Sequence, residues 1–432
     1  MRFFIVLLLT AVLSESGYAQ VKLNSLSELL QYADGHAPLA LQAGLAPKMS
    51  KQDVNVQGSA LYPKINVFGT GDYFPIIATQ VIPAEVLGGA KGTYLKAQFG
   101  LPYVFTSGAE LTVPVVNLEK WTQLSKARAA YNQSKYTSKA SLENFRIQLI
   151  QSYYQTLVTK EVLGLNNENA ETTAELSRIM DERNKNGVVN PADFNRSKNL
   201  DLDVQSTGYG YQKQLSQSSN NLNALLNIKQ DSLLLNENIS QFNWPALSNQ
   251  GDVTARAAWK EADYKLRIAE LSLSESRKAG LPRLSLSARY VYNMQSKFET
   301  SGGNVEFNNA SIGARVDFPI FQGNYFRSTK NKAKLQLDYA KLDQQRTQAT
   351  LTQQQNDWFA SYNTAYNKHA VLEQKVKNAS DNLRIAKLNI KEGLMEFDEF
   401  NNIFMEYNRA RMEQLQNLAD GILYYLLSTQ NF

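Results

Sequence analysis

The side chains of this chain that could carry out acid–base or metal chemistry are scattered along it. His36 and His369 stand alone, with no convincing constellation of Asp or Glu ligands around either. Cysteine is absent, which excludes disulfides, thiolate metal sites and cysteine nucleophiles. The phosphate-binding pattern G-x-x-x-x-G-K, the G-x-S-x-G elbow and the zinc motif H-E-x-x-H are also missing. We therefore predict no enzymatic activity, no cofactor and no metal site.

Two acidic residues occupy the same position after two glycines that are expected to lie in turns. Gly187 and Gly393 each follow a long segment free of proline, and an acid precedes a phenylalanine shortly after each, as Asp193-Phe194 and Glu399-Phe400. Glycine is the usual residue just past a helix end, and acids are favoured in the first turn of a helix. The pattern predicts a helix–turn–helix near 187–191 and another near 393–397.

The charge balance argues against a nucleic-acid partner. The chain has 45 basic and 40 acidic residues, a net charge of +5, and no long run of Lys or Arg. Its N-terminus has a basic residue, the apolar run Phe3 to Leu13 and then small residues up to Ala19, which predicts a signal peptide over 1–19. No later stretch approaches the roughly 20 apolar residues that a spanning helix needs.

The glycine turns belong to an internal repeat. Leu61-Tyr62-Pro63-Lys64 matches Gly280-Leu281-Pro282-Arg283, and Gly108-Ala109 through Pro114 matches Gly313-Ala314 through Pro319. Together with the two glycine turns these make three matched pairs, which keep the same order along the chain at separations of about 205 to 219 residues. We predict two structural repeats, over 20–240 and 241–432.

Each repeat is predicted to hold one hairpin between helices. Apolar and polar residues alternate over 65–73, over 95–115, over 284–294 and over 312–320, which predicts hairpins at about 62–116 and 283–321 with loops at Leu87 to Gly92 and Ser301 to Gly303. The segments 117–186 and 324–392 are rich in helix formers and predict very long helices, and shorter helices are expected over 25–60 and 252–279.

Such hairpins could pack on a protein core or on lipid. Export and strand lengths near the roughly 9 to 11 residues that cross a bilayer favour lipid. Four strands cannot close a barrel, and open edges are not tolerated in hydrocarbon, so several chains must share one barrel.

This ordered set of marks resembles the TolC-like outer membrane efflux proteins over nearly the whole mature chain. The resemblance implies a mixed fold of α-helices and transmembrane β-strands, in which a long-helix periplasmic α-barrel continues into a 12-strand outer-membrane β-barrel built from four strands per chain. It implies a homotrimer in the outer membrane of a Gram-negative bacterium, extending into the periplasm. The implied partners are a periplasmic adaptor, an inner-membrane transporter and outer-membrane lipid.

In this family the two helical turns form the periplasmic aperture and meet the adaptor. The resemblance carries that docking role to Gly187, Val188, Asn190, Asp193, Phe194, Gly393, Leu394, Glu396, Glu399 and Phe400. It also places an aperture acid at Glu399, aided by Asp398, while the next family acid corresponds to Asn402. The alternative is that these residues are ordinary helix caps and solvated acids.

The expected function is the passive exit duct of a tripartite efflux or type I secretion system. A structural periplasmic coiled-coil or adhesin-like protein is the main alternative, and an exported hydrolase is the weakest. Drugs, metal ions and polypeptides all remain open as substrates, because selectivity in such systems rests mostly with the pump.

Overall fold

The computed structural model describes residues 21–229, 233–239, 242–247, 251–297 and 303–429. The predicted signal peptide and most of the predicted loop at Ser301 to Gly303 lie outside these ranges. The elements in chain order are β1 (Val21–Leu23), α1 (Leu26–His36), α2 (Pro38–Ser59), β2 (Lys64–Tyr73), β3 (Thr79–Pro83), β4 (Tyr94–Gln98), β5 (Tyr103–Val116), α3 (Leu118–Lys185), α4 (Pro191–Leu226), β6 (Leu233–Leu235), α5 (Ala257–Lys278), β7 (Arg283–Ser296), β8 (Val305–Asp317), α6 (Tyr325–Glu392) and α7 (Phe397–Thr429).

The two longest helices, α3 and α6, have 68 residues each. Neither contains proline, and Gly164 is the only glycine in either. Ala, Leu, Gln, Lys and Glu, which lose little conformational freedom in a helix, make up about half of their length. The long helices predicted over 117–186 and 324–392 are confirmed.

The first predicted helix is divided in two. α1 ends at His36, and Ala37 has an extended backbone with a ψ of 128°. The ring of Pro38 disfavours the helical conformation for the residue before it, and its fixed φ suits the start of α2. The sequence pattern over 25–60 therefore predicted the helical content but missed this break.

A four-stranded antiparallel sheet has the order β2-β5-β7-β8. Tyr73 pairs with Tyr103, which also pairs with Ser296 of β7, and Gln295 pairs with Val305. The β5–β7 pairing joins the hairpins of the two predicted repeats. In the described part of the chain, β2 and β8 have no strand on their outer sides.

The first hairpin is more elaborate than the sequence predicted. The expected continuous strand over 95–115 is wrong, because it breaks between β4 and β5, where Gly100 has a φ of +119° and Pro102 lacks an amide hydrogen. β4 pairs with β3 in a separate two-stranded sheet. The expected loop at Leu87 to Gly92 lies at the end of that sheet, after a single 3-10 turn at Ala84–Leu87.

The chain forms two compact units, each with its own packing. One consists of Pro47–Lys135 and Glu261–Gln345 and holds the four-stranded sheet. The other consists of the remaining described residues and holds both glycine turns. Within the described residues, no helix combines the length and the apolar character needed to cross a membrane.

A half-buried carboxylate joins three parts of the chain in the second unit. Glu237 accepts hydrogen bonds from the Tyr153 hydroxyl at 2.6 Å, the Tyr154 hydroxyl at 3.3 Å and the Leu26 amide at 3.0 Å. Burial and this carboxylate raise the pKa of both tyrosines, so both phenols remain donors. The contacts fix the start of α1 and the chain after β6 against α3.

Candidate functional site

The two glycine turns have the same backbone geometry. Gly187 has a φ of +68°, and Gly393 has a φ of +79°. In the first turn the Gly187 amide donates to Asn184 and the Val188 amide to Arg183, both at 3.0 Å; in the second, Gly393 donates to Ile390 at 3.3 Å and Leu394 to Asn389 at 2.8 Å. Both are Schellman motifs, which satisfy carbonyls at the helix end and need glycine at the left-handed position.

The helices that follow begin in different ways. The Asn190 side chain accepts a hydrogen bond from the Ala192 amide at 2.9 Å, and Pro191 occupies the first turn of α4. α7 begins at Phe397, after Glu396, whose carbonyl accepts from the Phe400 amide at 3.2 Å. The helical turns predicted near 187–191 and 393–397 therefore exist, with a side-chain cap at Asn190.

An apolar side chain stands exposed at the same position of each turn. Val188 is 74% exposed and Leu394 is 78% exposed. In a Schellman motif the residue at this position usually packs back on its own helix. Here both side chains face outward, so each turn offers an apolar contact to another molecule.

The phenylalanines of the predicted docking set lie deeper. Phe400 is only 1% exposed and packs in a cluster with Met180, Ile390 and Phe404. Phe194 is half-buried against the same cluster. The side chain of Phe400 therefore supports the turn from within and offers no surface to a partner.

Two arginines connect the turns, and sequence reasoning missed both. Arg196 Nη1 lies 2.8 Å from Asp398 Oδ2 and 3.4 Å from Asp193 Oδ1, and Arg183 Nη2 donates to the Lys391 carbonyl at 2.7 Å. Arg183 lies in the last turn of α3, where a basic residue is common, so no local signal distinguishes it. Arg196 lies near the N-terminus of α4, and its partner Asp398 is 202 residues away in sequence.

The predicted aperture acids differ in their surroundings. Asp398 is paired with Arg196, which neutralises its charge locally. Glu399 is exposed and has no ion-pair partner within the described residues, and Asn402 is exposed one helical turn later on the same face. Of the two acids placed at the aperture, Glu399 is therefore the one without a cation beside it among the described residues.

Other charges near the turns form local pairs. Lys185, in the last turn of α3, lies 2.6 Å from Asp181, and that carboxylate raises the pKa of Lys185. Across the described ranges, no group of three His, Asp or Glu side chains is placed to hold a metal ion. Within the described residues the site therefore consists of two turns with exposed apolar side chains, connected by arginines, and two exposed acids of the docking set, Glu396 and Glu399, that have no ion pair.

Comparisons with known proteins agree with this architecture. Residues 254–420 match the family model described as outer membrane efflux protein. Comparison with curated protein sequences finds no match.

Similar folds occur among solved structures. The outer membrane channel CmeC of Campylobacter jejuni is 15% identical with a TM-score of 0.76, and the similarity covers 94% of this chain and 84% of that one. A membrane protein from Pseudomonas aeruginosa is 16% identical with a TM-score of 0.74, covering 93% of this chain and 91% of that one. The open state of the Neisseria gonorrhoeae MtrE outer membrane channel is 16% identical with a TM-score of 0.71, covering 92% and 88%. The resemblance to TolC-like channels and the mixed helix-and-strand fold class are confirmed.

Proposed function

We propose that this chain, a TolC-like outer membrane efflux protein by its fold and by the family match of residues 254–420, is the passive exit duct of a tripartite efflux or type I secretion system. The observation that carries the proposal is the pair of matching turns, each with an exposed apolar side chain, Val188 or Leu394. An adaptor in the periplasm docks on these turns, and an inner-membrane transporter supplies the energy.

The sheet supports a shared barrel. Both edge strands of the order β2-β5-β7-β8 are unpaired in the described chain, and β2 and β8 would pair antiparallel between neighbouring copies. Three copies of four strands give the 12-strand barrel, with every backbone group satisfied in lipid. The duct is therefore a homotrimer in the outer membrane that extends into the periplasm.

The chain organisation follows from the same proposal. Residues 1–19 are removed as a signal peptide, and residues 20–240 and 241–432 are two structural repeats. Each repeat supplies one barrel hairpin and one helical turn.

The docking surface comprises the residues of the two turns that reach solvent, and Phe400 is left out because it is buried. Gly187 and Gly393 set the backbone, and Val188 and Leu394 make the apolar contact. The polar side chains around them are those of Asn190, Asp193, Glu396 and Glu399, and the half-buried ring of Phe194 completes the set.

The absence of cysteine makes a direct test simple. Leu394→Cys and Val188→Cys, each carrying a photoactivatable crosslinker, should attach to an adaptor co-expressed with the channel. The matched control is Leu335→Cys, which is also exposed, at 71%, but lies in the unit without the turns. Labelling at Leu335 alone, or at no position, would contradict adaptor docking at the turns.

A second measurement separates the duct from a structural coiled-coil or adhesin-like protein. The mature chain should require detergent to remain in solution and should have the mass of a trimer by light scattering in detergent. A stable monomer in detergent-free buffer would exclude the duct.

A further inference from the structure

The small β3–β4 sheet extends the first hairpin, and the described residues of the second hairpin form no such sheet. The chain leaves the four-stranded sheet after Tyr73 and rejoins it at Tyr103. Between these points and the small sheet, the Phe74 amide donates a hydrogen bond to the Pro102 carbonyl at 2.7 Å. The Leu101 amide donates to the Gln295 side chain of β7 at 3.3 Å. The β3–β4 sheet is therefore anchored to the end of the main sheet.

The turn of this small sheet is well organised. Glu85 accepts a hydrogen bond from the Gly92 amide at 2.8 Å, and the Gly89 amide donates to the Ala84 carbonyl at 2.8 Å. A Cβ on Gly89 would lie 2.8 Å from the Ala84 side chain, so the turn closes tightly. The backbone is thus built as a defined structure.

Several exposed side chains of the small sheet and its turn, in contrast, are apolar. Val81 is 61% exposed, Val86 73%, Leu87 66% and Tyr94 70%. An isolated two-stranded sheet is marginally stable in water, and an exposed apolar patch usually marks an interaction surface. We call these four residues the ribbon patch.

The topology of the main sheet places the ribbon patch at the same end of the sheet as the start of β8. β2, which leads into the small sheet, is one edge of the main sheet, and β8 is the other. Tyr73 at the end of β2 and Val305 at the start of β8 lie at the same end, because Tyr73 pairs with Tyr103, Tyr103 with Ser296, and Gln295 with Val305. Where copies join through β2 and β8, the small sheet of one copy emerges beside Val305 of its neighbour.

The receiving surface is also apolar. Val305 is 54% exposed and Phe307 is 46% exposed. Neighbouring strands lie roughly 5 Å apart, whereas the eight residues from Tyr73 to Val81 can span up to roughly 27 Å. The ribbon patch can therefore fold across the rim onto β8 of the adjacent copy.

We propose that the β3–β4 sheet of each copy docks on the Val305 and Phe307 end of β8 in a neighbouring copy and clasps the two together. This inference rests on the trimer of the proposed function. It assigns the two hairpins complementary roles: the first supplies the small sheet, and β8 of the second receives it.

Crosslinking in the cysteine-free chain tests the clasp. Purified trimers of a Val81→Cys, Val305→Cys double variant are treated with a short bismaleimide and separated on a denaturing gel. Covalent dimers and trimers are expected from the double variant and from neither single variant. A ladder from Val81→Cys alone would mean that the small sheets meet one another, and no ladder from a proven trimer would mean that lipid or another protein covers the patch; either result overturns the proposal.

A substitution experiment gives an independent readout. The triple variant Val81→Ser, Val86→Ser, Leu87→Ser should lower the temperature at which trimers dissociate in detergent, whereas Lys91→Ser in the same turn should leave it unchanged. Equal dissociation temperatures for the triple variant and the natural protein would overturn the clasp. Absence of trimers in the natural protein, measured by light scattering, would instead overturn the proposed function.

Discussion

At the scale of single residues, the main feature that the structure reveals is the pair of arginines between the turns, Arg183 and Arg196. Arg196 holds Asp398, and Arg183 holds the Lys391 carbonyl while its guanidinium lies over Gly393. An exposed ion pair contributes about 0.2–1 kcal/mol, and a hydrogen bond contributes about 1 kcal/mol. In the proposed trimer these contributions would be small enough for a docking partner to overcome and, repeated in three copies, large enough to bias the aperture of the duct.

Removing these contacts is expected to open the aperture. The double variant Arg183→Ala, Arg196→Ala should increase single-channel conductance in planar bilayers, because the two turns lose their direct connections. Arg178→Ala is the matched control, since Arg178 pairs at 3.0 Å with Glu182 of its own helix. If the control raises conductance as much as the double variant, the connections between the turns do not restrict the aperture.

At the scale of elements, the two Schellman turns are alike in backbone and unlike in surroundings. A Cβ on Gly187 would meet no atom within 4 Å, whereas a Cβ on Gly393 would lie 2.9 Å from Arg183 Nη2. The unequal turns favour a mechanism in which one hairpin moves against the other.

This difference can be measured by substituting alanine. The left-handed backbone costs about 1 kcal/mol for alanine at either position. Gly393→Ala should destabilise its turn further, because Arg183 must shift. Hydrogen exchange at the Leu394 amide should accelerate more in Gly393→Ala than exchange at the Val188 amide does in Gly187→Ala; the reverse order would show that Arg183 does not restrain the second turn.

At the scale of the whole molecule, Glu399 would form a ring of carboxylates only in the proposed trimer, where three copies come together. Three carboxylates converging on one axis attract cations and repel anions. Because Arg196 already pairs with Asp398, the ring depends on Glu399, and Asn402 supplies no charge.

Ion selectivity tests the ring in both directions. Glu399→Ala should reduce cation preference in planar bilayers, and Asn402→Asp should increase it by adding an acid on the same face of α7. Asn402→Gln is the neutral control for the second change. An unchanged selectivity in Glu399→Ala would remove this residue from the conduction pathway.

Much of this architecture was predictable from the chain alone, because its signals are local. Helix propensity and the absence of proline determine α3 and α6, and the glycine spacing determines the two turns. The alternation of apolar and polar residues determines the strands, and the ordered repeat shows that these elements occur twice.

Tertiary structure decided which side chains meet, because those contacts join distant parts of the chain. Arg196 and Asp398 are 202 residues apart, and nothing near either one announces the pair. The burial of Phe400 depends on α3 and α6 packing around it, and the break before β5 depends on β4 finding β3 as its partner. The sequence by itself determined the helices, the strands and the paired turns, and only packing decided which turn residues face outward, which acids stay free and how the first hairpin is extended.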